Sequence, residues 1–440
     1  MDNMMKRVIF PLISYFFTSP LWATPLDWWR PVSEISSGDT AWVMVSAVFV
    51  LFMTIPGLAL FYGGMVRKKN LLSTMMYSFG AAALVSVLWM IAGYSLAFTP
   101  GNAFIGGSDR LFLRGLGVDP ALGMTTIVPS ATSIPESVFM FFQMTFAIIS
   151  TAIISGSFAE RMKFSSAMCF SGLWMMLVYV PVCHWVWGGG FMGDGGVMDY
   201  AGGTVVHISA GTAGLVAAII LGKRVGYAKE AMPPHNMAFT LIGAAMLWMG
   251  WFGFNAGSAF AANASAGMAM AVTQISAAAG ALTWILCERL IAHKASALGL
   301  ASGAVAGLVG ITPAAGFTDP KGALLIGILT ALSCYFSVVF LKRKFGYDDS
   351  LDAFGIHGFG GIIGAILTGI VFDNTIFGGQ AQISSQVLIQ LKDVIITLLY
   401  SAVISAILLF IISKFGGGLR VEYDVEREGL DVNIHGERVE

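Results

Sequence analysis

Apolar stretches long enough to cross a bilayer recur along almost the whole chain, at about 40–66, 71–98, 134–158, 164–186, 200–221, 236–259, 270–290, 297–316, 322–341, 351–372 and 387–413. A membrane-crossing helix needs roughly 20 apolar residues at about 1.5 Å each, and in lipid every backbone N–H and C=O must be satisfied within its own element. Eleven such runs leave one fold class, an all-α polytopic membrane protein with eleven transmembrane helices. Composition agrees: 56% of the 440 residues are hydrophobic and only 11% charged, too few charges to cover a soluble domain of this size. The net charge of −1 argues against nucleic acid as a partner.

Basic residues set the expected orientation. Loops on one side hold Arg67, Lys68, Lys69, Arg161, Lys163, Lys223, Arg224, Lys229, Arg289, Lys294, Lys342, Arg343 and Lys344; the other side holds Arg30, Arg110, Arg114, Lys321 and Lys392. By the positive-inside rule the first set is cytoplasmic, so the N-terminus lies out and the C-terminus in. The opening MDNMMKRVIFPLISYFFTSPLWATP has a basic start at Lys6 and Arg7 and an apolar run ending at Ala23. It reads as a signal peptide over 1–23, with an uncleaved helix as the alternative because Pro11 and Pro20 interrupt the run. The transmembrane domain then covers 40–413 and a charged cytoplasmic tail 414–440. The four cysteines, Cys169, Cys183, Cys287 and Cys334, have no metal-ligand or disulfide spacing, so they read as small buried residues, with no metal or cofactor expected.

The 53 glycines concentrate inside the spans, which predicts helices in close contact. VVHISAGTAGLV (205–216) and GIHGFGGIIGAI (355–366) each set one histidine before a run of small residues, in the fifth and tenth spans. Five spans per repeat is an odd number, so the two halves are expected to be inverted relative to one another. Span five starting near Tyr200 and span ten near Leu351 bring His207 and His357 towards the middle from opposite faces, where the rings can meet. A lone histidine in a helix can simply bond a neighbouring backbone group or hydroxyl. An ionisable group at membrane depth is costly and reads by default as functional, and a second at the equivalent repeat position strengthens that reading. Two touching imidazoles can share a proton and offer both a donor and an acceptor.

Asp199 precedes His207 by eight residues, about 12 Å along a helix, too far for contact. It fits an N-cap of span five, and its field would also draw a cation to the mouth. Trp187 fits an interfacial tryptophan, and Phe146 and Phe254 fit core packing; each ring can alternatively present a face to a cation. Ser258, in WFGFNAGSA (251–259), approaches the same mouth as Asp199 and Trp187 and offers a hydroxyl acceptor to a small cation rich in N–H donors.

At these residues the sequence resembles the Amt/Mep/Rh ammonium transporters, bacterial Amt proteins most closely. The resemblance is carried by FMTIPGLALFYGGMVRKKN (52–70), AERMKFS (159–165), HWVWGGG…MDYAGGTVVH (184–207), GKRVGYAKE (222–230), WFGFNAGSA, AGLVGITPA (306–314), FGIHGFGGIIG (354–364) and GLRV…EREGLDVNIHGE (418–437). It implies inverted five-helix repeats and a homotrimer with one pore per subunit in a bacterial inner membrane. It also implies an outer ammonium-recruiting site at Trp187, Phe146 and Ser258, a phenyl gate of Phe146 and Phe254, twin pore histidines at His207 and His357, and an acidic residue at Asp199 needed for activity. None of these positions is substituted; the loop 100–133 and the stretch 372–386 depart from the family pattern. The implied tail is ordered, packed under the bundle and coupled to neighbouring subunits, and a PII-type signalling protein would plug the cytoplasmic face.

The expected mechanism is recruitment of NH₄⁺, with methylammonium as analogue, loss of its proton near the phenyl gate, and passage of NH₃. Desolvating the intact cation would cost several kcal/mol, and a histidine relay favours electrogenic transport. An ammonium sensor that barely conducts is the alternative, although only about 27 residues follow the last span. A carrier of methylamine or carbon dioxide, as in Rh-like relatives, is the other. No catalytic residues, and no enzyme activity, are expected.

Overall fold

The computed structural model describes residues 28–439, so the expected signal peptide at 1–23 lies outside the described residues. Eleven helices long and apolar enough to cross a membrane make up most of the rest: α1 (Ser37–Met65), α2 (Lys68–Phe98), α3 (Glu136–Phe158), α4 (Phe164–Asp194), α5 (Gly203–Leu221), α6 (Met237–Gly257), α7 (Ala264–Ile291), α8 (Ala297–Ala314), α9 (Pro320–Phe345), α10 (Phe354–Val371) and α11 (Ile383–Phe415). A short helix, α12 (Tyr423–Glu428), follows in the tail. Polar side chains start several of these helices by accepting otherwise free N–H groups. Ser36 Oγ accepts from Asp39 N–H at 3.2 Å, Asn236 Oδ1 from Phe239 N–H at 3.0 Å, and Asp319 Oδ1 from Gly322 N–H at 2.8 Å.

Span five differs from the expectation. It begins at Gly203, not Tyr200, because the chain turns through left-handed Gly202 (φ +111°) so that Asp199 can fold back onto the helix start. The cysteines also correct the sequence reading: Cys183 and Cys334 are buried, but Cys287 is half-buried and Cys169 exposed, all four unpaired. The glycines do allow close approach. A Cβ on Gly211 of α5 would stand 2.3 Å from the backbone nitrogen of Gly358 on α10, so these two helices touch backbone to backbone beside the histidines.

At one end of the bundle, β1 (Trp29–Pro31), β2 (Val118–Asp119) and β3 (Met124–Thr126) form a small antiparallel sheet in the order β1-β3-β2. The loop that carries it is pinned to α3 by a buried fork: Arg110 donates from Nε and Nη2 to the Glu136 carboxylate at 2.8 and 3.0 Å, and Tyr94 O–H donates to the same group at 2.9 Å. Removing one partner strands the other charge in the interior. Glu136→Gln is therefore expected to lower stability by about 3 kcal/mol, seen as a drop in melting temperature in detergent.

The opposite, basic end is knitted together by Glu160. Its Oε1 accepts from Arg67 N–H and Nε and from Asn70 Nδ2, all at 2.9 Å, and its Oε2 accepts from Arg224 Nη1 at 2.8 Å. Arg224 also forks onto Asp348 at 2.9 Å through Nε and Nη2. The tail packs against this network. Asp431 accepts from Leu72 and Ser73 N–H at 2.9 and 2.8 Å, capping the start of α2, and Leu430 N–H donates to Asn70 Oδ1 at 2.9 Å. Glu426 accepts from Val225 N–H at 2.7 Å and pairs with Arg420, whose guanidinium also donates to the Leu221 and Lys223 carbonyls.

Burial by itself would raise the Glu160 and Asp348 carboxyls, but the neighbouring arginines outweigh it and hold both below the usual range. A carboxyl depressed in the folded state adds stability above its unfolded value, about 4.3 for Glu and 3.9 for Asp, and that stability is lost as pH falls through the folded value. Melting temperature is therefore expected to fall below about pH 4, and Glu160→Gln to blunt that acid limb while lowering stability at neutral pH.

Candidate functional site

α5 and α10 begin with the same construction. Asp199 accepts four backbone N–H bonds at the start of α5: Gly202 at 2.8 and Gly203 at 2.6 Å on Oδ1, Thr204 at 2.9 and Val205 at 3.1 Å on Oδ2. Asp349 accepts from Ala353 at 3.1 Å and Phe354 at 2.8 Å at the start of α10. In each case a π-type turn follows, Gly203–Ile208 and Phe354–Gly358, and places a histidine eight residues after the aspartate. The D-x₇-H spacing occurs at both sites in the sequence and would have revealed Asp349, which the reading of α5 alone did not. Burial pushes the Asp199 carboxyl up, against the pull of the four N–H donors. Burial does the same at Asp349, helped by the charge of Asp352 and opposed by Lys342.

The two histidines meet. His207 Nδ1 and His357 Nδ1 are 3.3 Å apart, within reach of one shared hydrogen, and the ring centroids lie 5.3 Å apart. Both side chains are buried, and His207 Nε2 has no hydrogen-bond partner among the described residues. Trp251 stacks on His207 at 5.4 Å and 23°, and its Nε1–H donates to Thr312 Oγ1 at 2.9 Å, which locks the indole in place. Sequence reasoning passed over Trp251, although it sits one turn before Phe254 on the same helix face.

Phe254 lies 6.0 Å from His207 and stacks on Phe146 at 4.2 Å, with the rings 11° from parallel. The Trp187 ring meets Phe146 edge-on at 5.9 Å. Trp187 Nε1–H donates to the Asp199 carbonyl at 2.8 Å, so the segment that caps α5 also fixes this indole. Above the phenyl pair opens a cavity of about 260 Å³ whose wall includes Phe146, Trp187, Ser258, Gln143, Tyr200 and Phe260. Ser258 O–H donates to the Phe254 carbonyl at 2.9 Å, which leaves its oxygen lone pairs to accept. Gln143 adds a second acceptor: its buried Oε1 has no partner among the described residues. It precedes Phe146 by three residues in FFQMTFA, spacing that shares a helix face. The structure therefore brings Trp187, Phe146 and Ser258 to one wall and sets Phe254, His207 and His357 in line beneath them. Asp199 is not part of that wall; its carboxylate is turned into the helix.

Fold and site together define a multi-pass helical membrane protein with a stacked phenyl pair and a histidine pair in its interior. A model of the Ammonium Transporter Family matches residues 41–440, and the chain belongs to that family. It is 48% identical over 409 residues to the ammonium transporter of Bacillus subtilis (strain 168), covering 91% of this chain and 98% of that protein. The ammonium transporter of Aquifex aeolicus (strain VF5) is 47% identical over 411 residues, with 92% and 94% covered. Among solved structures it resembles Saccharomyces cerevisiae Mep2, with a TM-score of 0.81 at 35% identity over 89% of each chain. It also resembles a sensor Amt protein, with a TM-score of 0.82 at 27% identity over 90% of this chain and 98% of that one.

Proposed function

We propose that this protein is an ammonium transporter of a bacterial inner membrane, with the N-terminus outside, the C-terminus inside and inverted five-helix repeats, assembled as a homotrimer with one pore per subunit. The observation that carries the transport reading is the file of rings: the cavity walled by Trp187 and Ser258, then the Phe146–Phe254 stack, then the His207–His357 pair. Family membership supports the substrate. In this reading NH₄⁺ is recruited against the faces of Trp187 and Phe146 and the oxygens of Ser258 and Gln143, since aromatic faces and neutral acceptors together replace part of a small cation's hydration. A bare cation between two phenyl rings would be strongly disfavoured, so the proton leaves at the gate and NH₃ continues. The histidine pair accepts and passes that proton, which makes transport electrogenic. Asp199 holds the start of α5 and the Trp187 indole, and its charge favours a cation at the mouth.

The repeated D-x₇-H caps support the inverted repeat: α10 follows α5 by five spans, an odd offset, so two helices that each carry one capped histidine would cross in opposite directions. The tail, 414–440, serves as a regulatory element. Its contacts with the start of α2 and with the 222–230 connector hold it under the first half of the bundle and at its junction with the second, and the exposed basic end is where a PII-type protein would seat.

The test is an ammonium concentration jump on proteoliposomes, recorded as transient current on a supported membrane. Current in the wild type that is absent in the His207/His357 double alanine variant is the expected result. Uptake without current would replace the relay with neutral NH₃ conduction. Neither current nor uptake would shift the function to ammonium sensing, a reading that the likeness to a sensor Amt protein favours.

A further inference from the structure

Against the start of α5, outside the lining of the ring-walled cavity, lies a second buried carboxylate that the transport reading does not use. Asp393 on α11 is 1% exposed. Thr204 joins it to the Asp199 cap: the Thr204 hydroxyl donates to Asp393 Oδ2 at 2.5 Å, while the Thr204 N–H donates to Asp199 Oδ2 at 2.9 Å. The two carboxylates thus hang on one residue, a single turn before His207. They are satisfied very differently. Asp199 accepts four N–H bonds, whereas Asp393 accepts one hydroxyl and its Oδ1 is buried with no hydrogen-bond partner among the described residues. Asp393 also lines a small cavity of about 60 Å³ with Phe191, Met192, Val197, Ile389 and Lys392, room for about two waters at roughly 30 Å³ each. That cavity shares no lining residue with the larger one above the phenyl stack.

We propose that Asp393 and this cavity form a proton-binding site, reached by water from the outer face, whose charge sets how strongly the mouth of the pore attracts ammonium. The inference rests on the transport reading above. A buried carboxylate with one hydroxyl donor and a bare oxygen is poorly compensated as an anion, and a proton on Oδ1 relieves it while leaving Oδ2 free to accept from Thr204. Asp199 has no free oxygen on which to hold that proton. The elements packed around Asp393 carry Asp199 and His207 at the start of α5, His357 on α10, Cys169, Tyr179, Cys183, His184 and Asp194 on α4, and Lys392, Tyr400 and Lys414 on α11 itself. Lys392 is the basic residue next to Asp393, Lys414 lying more than twenty residues further along α11, and no ion pair joins Lys392 to Asp393 among the described residues. The sign follows. When outside pH falls, Asp393 is neutral and the mouth less negative, so ammonium binds more weakly; when pH rises, the second negative charge strengthens attraction. Asp393 is a positioning and electrostatic residue here and does not touch the substrate.

The experiment measures the apparent KM for ammonium from transient currents of full-length protein in proteoliposomes over about pH 5 to 8, a range in which the substrate stays almost wholly protonated. In the wild type KM is expected to rise about fivefold towards low pH, the size of effect one buried charge exerts at short range. Asp393→Asn is expected to hold KM flat at the weak, low-pH value with little change in maximal current. Asp393→Ser, which keeps a hydrogen-bonding partner for Thr204 but cannot ionise, is expected to do the same and serves if the asparagine variant fails to fold. A wild-type KM that does not vary with pH, or variants whose pH profiles superimpose on the wild type, would overturn the inference. Infrared difference spectra between low and high pH provide a readout independent of transport. A protonated-carboxyl band present in the wild type and missing from both variants supports the site, and an unchanged band overturns it. Wild-type protein with no ammonium current or uptake at any pH would instead defeat the transport reading, leaving the infrared result to decide the proton site.

Discussion

His207→Ala and His357→Ala are each expected to abolish ammonium-driven current while leaving the protein folded. The rings stand 3.3 Å apart through their Nδ1 atoms in a buried stretch walled on the His207 side by Trp251 and Phe254. Removing either ring takes away one end of the only shared-hydrogen contact between them. What remains is a single buried imidazole with no partner to hand a proton on to, so charge movement stops whether or not NH₃ still passes. The loss of stability should be modest, below about 3 kcal/mol, because among the described residues neither ring hydrogen-bonds any side chain other than its partner's. Transient current on a supported membrane reads the first effect and melting in detergent the second. Unchanged ammonium current in both variants would end the relay proposal.

Asp199→Ala is expected to lose both transport and stability. Its carboxylate answers four N–H groups at 2.6–3.1 Å, and truncating it leaves them in an interior where water is scarce. Loss of a helix cap costs about 0.5–2 kcal/mol, and leaving buried donors unmade raises the total to about 2–4 kcal/mol. The Trp187 indole would shift as well: the main-chain carbonyl it donates to stays, but the segment that carries that carbonyl is no longer tied to the helix start. Asp199→Asn keeps one acceptor oxygen and should fall between. Full loss of activity with wild-type melting would leave the capping role unsupported and assign the effect to the charge alone.

These expectations were open to a reader of the sequence in unequal measure. The number of spans was legible because a lipid-facing helix must be apolar along its whole length, so each one writes its own signal. His207 and His357 were legible because an ionisable residue stands out in such a run, and because a second one recurs in the equivalent place. Asp199 was legible as a cap, being an aspartate ahead of a glycine-rich helix start, although the start itself falls at Gly203 and not at Tyr200. Asp349 was equally available through the same eight-residue spacing and was passed over. Gln143 and Trp251 were hidden for another reason: each looks like an ordinary member of an aromatic, apolar helix, and only the neighbouring helix shows which face it turns inward.

Local sequence by itself determined the eleven helices, the capped aspartate–histidine units and the small residues that let helices touch, because hydrophobic length, capping chemistry and side-chain size are properties of short stretches. It was the tertiary structure that decided what those units meet. The contact between His207 and His357 spans 150 positions of chain, the stack of Phe146 on Phe254 joins α3 to α6, and the Thr204 link from Asp199 to Asp393 brings α11 against α5. None of these is encoded by periodicity, since each depends on the rotation of one helix about its axis relative to another, and that rotation is set by packing over the whole bundle.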